Sequence, residues 1–219
     1  MNPFLSCTWE TWKKEYPSIQ LASLPDKAFL YRQGDRCSSF FWIKNGIVKL
    51  SHLTKQGNEL TLTLLKTGDI IGYLQVGDFT NQIMEENAQA LGKVDFYRLE
   101  YIDFKKLITS QANLSWQILE SVYAHKQQIE RKLRAILTQS VEQRLIVMLL
   151  ELAKLFGIRC MHGYALEISL TQQELADLVG ASRPVISTIM NQFRNRGMLD
   201  YTREHICVND TALSLIDPR

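Results

Sequence analysis

Leu170-Thr171-Gln172-Gln173-Glu174-Leu175-Ala176-Asp177-Leu178-Val179-Gly180-Ala181-Ser182-Arg183-Pro184-Val185-Ile186-Ser187 carries two helix starts separated by one tight turn. Thr171 and Glu174 have the spacing of a capping box. The threonine hydroxyl accepts the glutamate amide and the carboxylate returns to the threonine amide, so a helix begins here. Ala176 is small enough to let a second helix approach, and Gly180 tolerates the left-handed backbone of a sharp turn. A capping box alone marks many helices. The order Leu175, Ala176, Val179, Gly180, Ile186, Ile189 is specific to a helix-turn-helix.

The second helix is expected from about Ser182, whose hydroxyl can cap it, with Pro184 in the first turn where a missing amide costs little. Its outward side offers Arg183, Pro184, Ser187, Thr188 and Asn191. In the major groove of a duplex an arginine such as Arg183 bonds guanine O6 and N7, Pro184 offers an apolar contact, and the polar residues reach bases or phosphates. Thr171 and Gln172 join these candidate DNA contacts from the first helix. The plainer reading, a solvated helix face, is disfavoured by the spacing. Residues 197–201 and 205–208 are expected as two strands of a hairpin around Thr202-Arg203-Glu204. In such a wing Arg203, with Arg194 and Arg196 nearby, would contact phosphates.

Upstream, residues 28–99 read as short β-branched and aromatic runs broken by glycine, the pattern of an all-β sandwich or roll. The expected reversals are Gly34-Asp35, Asn45-Gly46, Gln56-Gly57, Thr67-Gly68-Asp69 and Gly72. Residues 40–43 and 47–50 read as separate strands, and residues 60–65 alternate leucine with threonine, as if the leucines faced the core. After Asp103 the period changes. From 113 to 137, Ile118, Val122, His125, Ile129, Lys132 and Ile136 fall at steps of four and three, along one helix stripe. That stripe is expected to be a dimer seam. A second amphipathic helix, 141–156, brings Leu145, Met148, Leu149, Leu152 and Leu155 to one face and stops at Gly157; residues 163–170 read as a strand.

The chain has 219 residues, 46% of them hydrophobic, enough for two modest cores. With 25 Lys and Arg against 23 Asp and Glu, its net charge of +2 makes no global positive field, so DNA affinity must come from a local patch. No stretch of about eighteen apolar residues lacks charge and no signal-peptide order opens the chain, so a soluble cytoplasmic protein is expected, with no membrane partner. The four cysteines, Cys7, Cys37, Cys160 and Cys207, are far apart in sequence, which argues against a zinc ribbon or disulfide scaffold and for idle or buried thiols. No metal site, phosphate loop or nucleophile elbow appears, so an enzyme lacks support.

The glycine-spaced segment with Gly68-Asp69-Ile70-Ile71-Gly72, the long helix and the stretch from Leu170 to Ser187 resemble the Crp/Fnr family of transcription regulators over nearly the whole chain. Arg144-Leu145 leading to Phe156-Gly157-Ile158 is similar to the cyanobacterial nitrogen regulator NtcA and its relatives. The resemblance implies an α+β chain: an N-terminal cyclic-nucleotide-binding-type β-roll (1–108), a long dimerisation helix (109–137) and a C-terminal winged helix-turn-helix (138–219). It implies a homodimer on a palindromic operator in double-stranded DNA, with RNA polymerase as a partner and a small-molecule effector in the roll. The effector pocket would draw on Gly72, Tyr73, Leu74, Asn87 and His125; the dimer seam on Ile118, Val122, His125, Ile129 and Ile136.

The roll departs from the cyclic-AMP pattern. Tyr73 stands where those relatives have a glutamate, and between Gln75 and Leu91 there is no Arg or Lys to hold a phosphate or a 2-oxoglutarate carboxylate. Cyclic AMP is therefore disfavoured, no cofactor is expected, and the effector is left open. Cys7 and Cys37 are too sparse for an iron-sulfur cluster, and His52 and His125 are weak candidates for haem. A redox pair of Cys7 and Cys207 is suggested only by thiol-switched family members, with structural roles weighed more heavily. A rival class, a nucleotide-type module acting on a protein partner, fits the first 137 residues but leaves the helix-turn-helix spacing without use.

Overall fold

The structure is a computed structural model that describes residues 9–36, 38–72, 83–161, 163–166, 168–202 and 205–214. The chain divides into two compact units, 1–125 and 126–219. In the first, helix α1 (Trp9–Glu15) precedes strands β1 (Gln20–Leu24), β2 (Phe29–Tyr31), β3 (Ser39–Leu53), β4 (Glu59–Leu65), β5 (Ile70–Ile71) and β6 (Asn87–Glu100), then helix α2 (Tyr101–Ser110). The strands form one antiparallel sheet in the order β1-β6-β3-β4, with β2 added to β6 and β5 to β3. Strand β3 is buried on both faces: Phe40 and Trp42 enter a core with Trp12, Tyr16 and Phe104, whereas Phe41 and Ile43 enter a second with Val48, Ala88 and Phe96. That double burial explains its unbroken apolar run. Helix α1 was not legible as such; Trp12 within it and Tyr16 just past its end are buried.

Two strand expectations need correction. Asn45-Gly46 does not reverse the chain. Strand β3 continues through it to Leu53, and the register against β6 shifts on both sides of Asn45, so the glycine's positive φ of 101° serves an irregularity in the ladder. A β-carbon at Gly46 would lie 2.5 Å from the Lys93 carbonyl oxygen, which makes close approach the reason for glycine. In β4 the alternation is inverted: Thr61 is buried while Leu60 and Leu62 are exposed. The ladder pairs Leu50 with Thr63 but Ser51 with Thr61, skipping Leu62, and buried Thr61 and Leu65 mark the inward side of the strand, with Thr63 half-buried between them. The turns at Gly34-Asp35, Gly57 and Gly68-Asp69 occur as expected, with Asp35 Oδ2 accepting the Arg32 amide and Asp69 Oδ2 accepting the Lys66 amide.

Helix α3 (Ala112–Thr138) runs from the first unit into the second, and α4 (Val141–Phe156) follows behind Ser140, which closes a capping box with Gln143. Strands β7 (Gly157–Cys160) and β8 (Gly163–Leu166), helices α5 (Gln172–Val179) and α6 (Arg183–Asn195), strands β9 (Leu199–Tyr201) and β10 (Ile206–Val208), and helix α7 (Asp210–Ser214) complete the second unit. Its antiparallel sheet has the order β7-β8-β10-β9. The strand expected over 163–170 is thus confined to β8, and β7 is a strand the sequence did not disclose. Gly157 is extended, with φ −92°, so it opens β7 rather than ending α4 by a left-handed turn. A β-carbon there would sit 2.4 Å from the Ala153 carbonyl oxygen. On α4, Leu145, Leu149 and Leu152 are buried as expected, but Leu155 is exposed and Ile146, Leu150 and Ala153 complete the face. Among the described residues no helix is long and apolar enough to cross a membrane.

Candidate nucleic-acid interface and dimer helix

The frame of the interface is built by α5 and α6. Thr171 Oγ1 accepts the Glu174 amide at 3.1 Å, and the Glu174 carboxylate accepts the Thr171 amide at 2.8 Å. Gly180 adopts the left-handed conformation, φ 67° and ψ 53°, and its amide returns to the α5 carbonyls. Leu175 and Ala176 of α5 and Ile186 and Phe193 of α6 are fully buried. Arg144 of α4 clamps this turn: its guanidinium donates to the carbonyls of Val179 (2.9 Å), Gly180 (3.1 Å) and Gln139 (2.8 Å). Sequence reading had no cue to that use of Arg144.

The edge of α6 opposite its buried side leaves Ser182, Arg183, Pro184, Thr188 and Asn191 exposed, with Ser187 half-buried. Pro184 lies in the first turn, as expected. Ser182 is the N-cap, but its side chain makes no capping hydrogen bond, correcting the expected hydroxyl cap. Capping by backbone geometry alone leaves the first α6 amides, and the positive end of the helix dipole, without that internal acceptor. Thr188 donates to the Pro184 carbonyl at 3.0 Å, which leaves its hydroxyl oxygen as an acceptor. Tyr201 of β9, missed in the sequence, donates to Asn191 Oδ1 at 2.9 Å and lies 3.5 Å from Gln172 Nε2, so one phenol ties α5, α6 and the wing strand together. Arg194 pairs with Asp200 at 2.9 Å and Arg196 with Glu142 at 3.4 Å, which lowers the positive charge both present. Arg203 and Glu204 lie outside the described residues.

Helix α3 presents a different surface. Val122, Ile129 and Ile136 of the expected stripe are exposed, at 60%, 68% and 40%. Ile118 packs against the core around Phe104, and His125 Nε2 stands 3.6 Å from Asp69 Oδ1, so these two are occupied by the chain's own first unit. Lys132 is half-buried; burial pushes its ammonium below the usual lysine range, opposed by the Asp177 charge. Exposed apolar side chains of α3 fall along Leu119, Val122, Ile129, Leu133 and Ile136, with Trp116, Tyr123 and Leu137 also exposed on the helix. Leu119 and Leu133 were legible as leucines but not as members of the stripe, because an alternative heptad phase shares Val122, Ile129 and Ile136.

Of the other effector candidates, Gly72 lies against the Phe40 ring, where a β-carbon would meet Cδ1 at 2.3 Å, and Asn87 Oδ1 accepts the Gln33 amide at 2.9 Å. Tyr73 and Leu74 lie outside the described residues. Cys160 and Cys207, distant in sequence, have sulfurs 3.5 Å apart; Cys7 and Cys37 are not among the described residues.

A β-roll with its Gly-Asp turn, a long helix and a winged helix-turn-helix with an exposed polar recognition edge define a DNA-binding regulator with a sensor-type domain. Comparisons agree. Residues 21–111 match the cyclic nucleotide-binding domain and residues 143–213 the Crp-like helix-turn-helix domain. The global nitrogen regulator of Synechocystis sp. is 24% identical over 186 residues, 84% of this chain and 83% of that protein. The CRP-like cAMP-activated global transcriptional regulator of Mycobacterium tuberculosis is 25% identical, covering 88% of this chain and 85% of that one. The structure of FixK2 from Bradyrhizobium japonicum superposes with a TM-score of 0.75 at 13% identity, over 92% of this chain and 98% of that one. The chain belongs to the Crp/Fnr family of transcription regulators.

Proposed function

We propose that the protein acts as a homodimer on a palindromic operator, with the N-terminal turn of α6 from each copy in successive major grooves. The observation that carries this is the exposed edge formed by Ser182, Arg183, Pro184, Thr188 and Asn191 on a helix whose opposite side is fully buried. Arg183 reads a guanine, Thr188 and Asn191 supply further polar contacts, and Thr171, Gln172 and Ser187 approach the backbone. Arg203 at the wing adds a phosphate contact. Residues 1–108 serve as sensor, 109–137 as dimer helix and 138–219 as reader, in the cytoplasm, with RNA polymerase as the downstream partner.

The seam in this reading runs along Leu119, Val122, Ile129, Leu133 and Ile136, the residues whose apolar surface is left to water in one chain. Ile118 and His125 then stabilise the protomer. An effector held near Gly72, Tyr73, Leu74, Asn87 and His125 would shift the balance between binding-competent and incompetent dimers. The cyclic AMP named for one relative is not carried over, because residues 75–91 offer no cationic partner for its phosphate.

The test is selection of fragments of the source genome by the purified chain. An inverted repeat with half-sites about one helical turn apart, roughly 10 base pairs, is expected. Enrichment without a repeat would exclude the symmetric reading.

A further inference from the structure

One face of the wing sheet holds a thiol pair. In the register of the sheet, Cys160 of β7 lies opposite Gly163 of β8, and Ala165 of β8 lies opposite Cys207 of β10. Directly opposed residues share a face, as do residues two apart on one strand, so both cysteines stand on the same side of β8. Between them β8 offers only Gly163 and Ala165, too small to separate them, and the two sulfurs come to 3.5 Å. Both cysteines are half-buried, and Cys207 also borders a surface cleft with Arg194, Gly197, Asp200 and Asn209.

We propose that Cys160 and Cys207 form a redox-modification site: low-molecular-weight disulfides convert the pair reversibly into a disulfide across the wing sheet, and the oxidised form binds DNA more weakly. The Cys160 thiolate attacks the small disulfide, forming a mixed disulfide and releasing one small thiolate. Cys207, after losing its proton to water, attacks the Cys160 sulfur, forming the Cys160–Cys207 bond and releasing the second thiolate. Two electrons pass from the protein thiols to the small disulfide, which leaves as two thiols. The order follows from surroundings: burial first, then the hydrogen bond and charge interaction with Cys160, then the Asp200 charge hold the Cys207 thiol above its usual range.

A bond of about 2.05 Å requires the sulfurs to close from their 3.5 Å separation, drawing β7 and β10 toward each other over β8. The pull reaches the recognition helix by a short route. Cys207 is registered with Asp200, whose carboxylate holds Arg194 of α6 at 2.9 Å, and the next residue, Tyr201, holds Asn191. Oxidation therefore bears on the wing and on α6 together. The DNA consequence rests on the proposed use of α6; the chemistry of the thiols does not.

The experiment incubates the full chain with oxidised glutathione, maps disulfides by mass spectrometry, and measures binding to a fluorescent duplex recovered by the genomic selection. The expected result is a Cys160–Cys207 cross-linked peptide, about tenfold weaker binding, and recovery with dithiothreitol. Cys160→Ser and Cys207→Ser should bind the duplex like the reduced protein and not respond to glutathione disulfide. Glutathione on separate cysteines without a cross-link, a cross-link with unchanged affinity, or an equal loss in both variants overturns the proposal. Failure of the reduced protein to bind any selected duplex would instead remove the DNA reading, and the cross-link would still decide the thiol site.

Discussion

Helices α3 and α6 are both amphipathic and both leave a face uncovered, but the two faces are chemically opposite. On α6 the open edge is Arg183, Thr188 and Asn191, polar groups that are stable in water, with Thr188 donating to the Pro184 carbonyl and Asn191 accepting from Tyr201. On α3 it is Leu119, Val122, Ile129 and Leu133, whose exposed apolar surface is unfavourable in water and calls for a permanent cover. A polar open face marks a surface for reversible binding; an apolar one of this length marks assembly. The first must also be rigid, which is why α6 is held by fully buried Ile186 and Phe193 and by the Tyr201–Asn191 bond.

The contrast is broken most severely by placing charge on the apolar stripe. Ile129→Glu or Leu133→Glu should cost about 3–5 kcal/mol of association, as an unpaired charge buried in a seam does. Light scattering should then report monomers; an intact dimer would put the seam elsewhere. Next in size is the turn beneath the polar edge. Gly180→Ala should destabilise the second unit by about 1–2 kcal/mol through its left-handed backbone, and the new β-carbon would also approach Ile136 Cδ1 at 3.2 Å. Urea unfolding should move to lower midpoint while the molecular mass stays that of the wild type. Thr171→Ala should cost about 1 kcal/mol by deleting the cap, again without change of mass.

The smallest effect is a pH slope at Lys132. Its lowered value means that the folded chain releases this proton before the unfolded chain does. Stability from this group therefore rises with pH between the folded value and the usual lysine range, and is held down below that window. Lys132→Met should flatten the alkaline slope; an unchanged slope would show that the ammonium is well solvated in the fold.

The parts of the molecule that were legible in sequence are those fixed by local chemistry. A capping threonine three residues before a glutamate and a glycine at a left-handed turn specify α5 and its exit whatever surrounds them. Gly46 misled because a positive φ serves a ladder irregularity as well as a reversal, and only the partner strand decides between them. Leu60 and Leu62 misled because an alternation of leucine with threonine does not say which face is covered, and here Thr61 and Leu65 take the buried side. The stripe on α3 was half legible: two heptad phases share Val122, Ile129 and Ile136, and the choice depends on which neighbours the roll covers, here Ile118 and His125. Cys160 and Cys207 were invisible as a pair because their meeting depends on the order β7-β8-β10, with small residues on the strand between.

The claim on which the account depends is that the first turn of α6 reads base edges. Equilibrium binding of wild type and Arg183→Ala should be compared across a set of duplexes, each altered at one symmetric position of the selected repeat. The account predicts a loss of about 1–3 kcal/mol confined to discrimination at one base pair of each half-site. An equal loss on every duplex, with specificity intact, would contradict it.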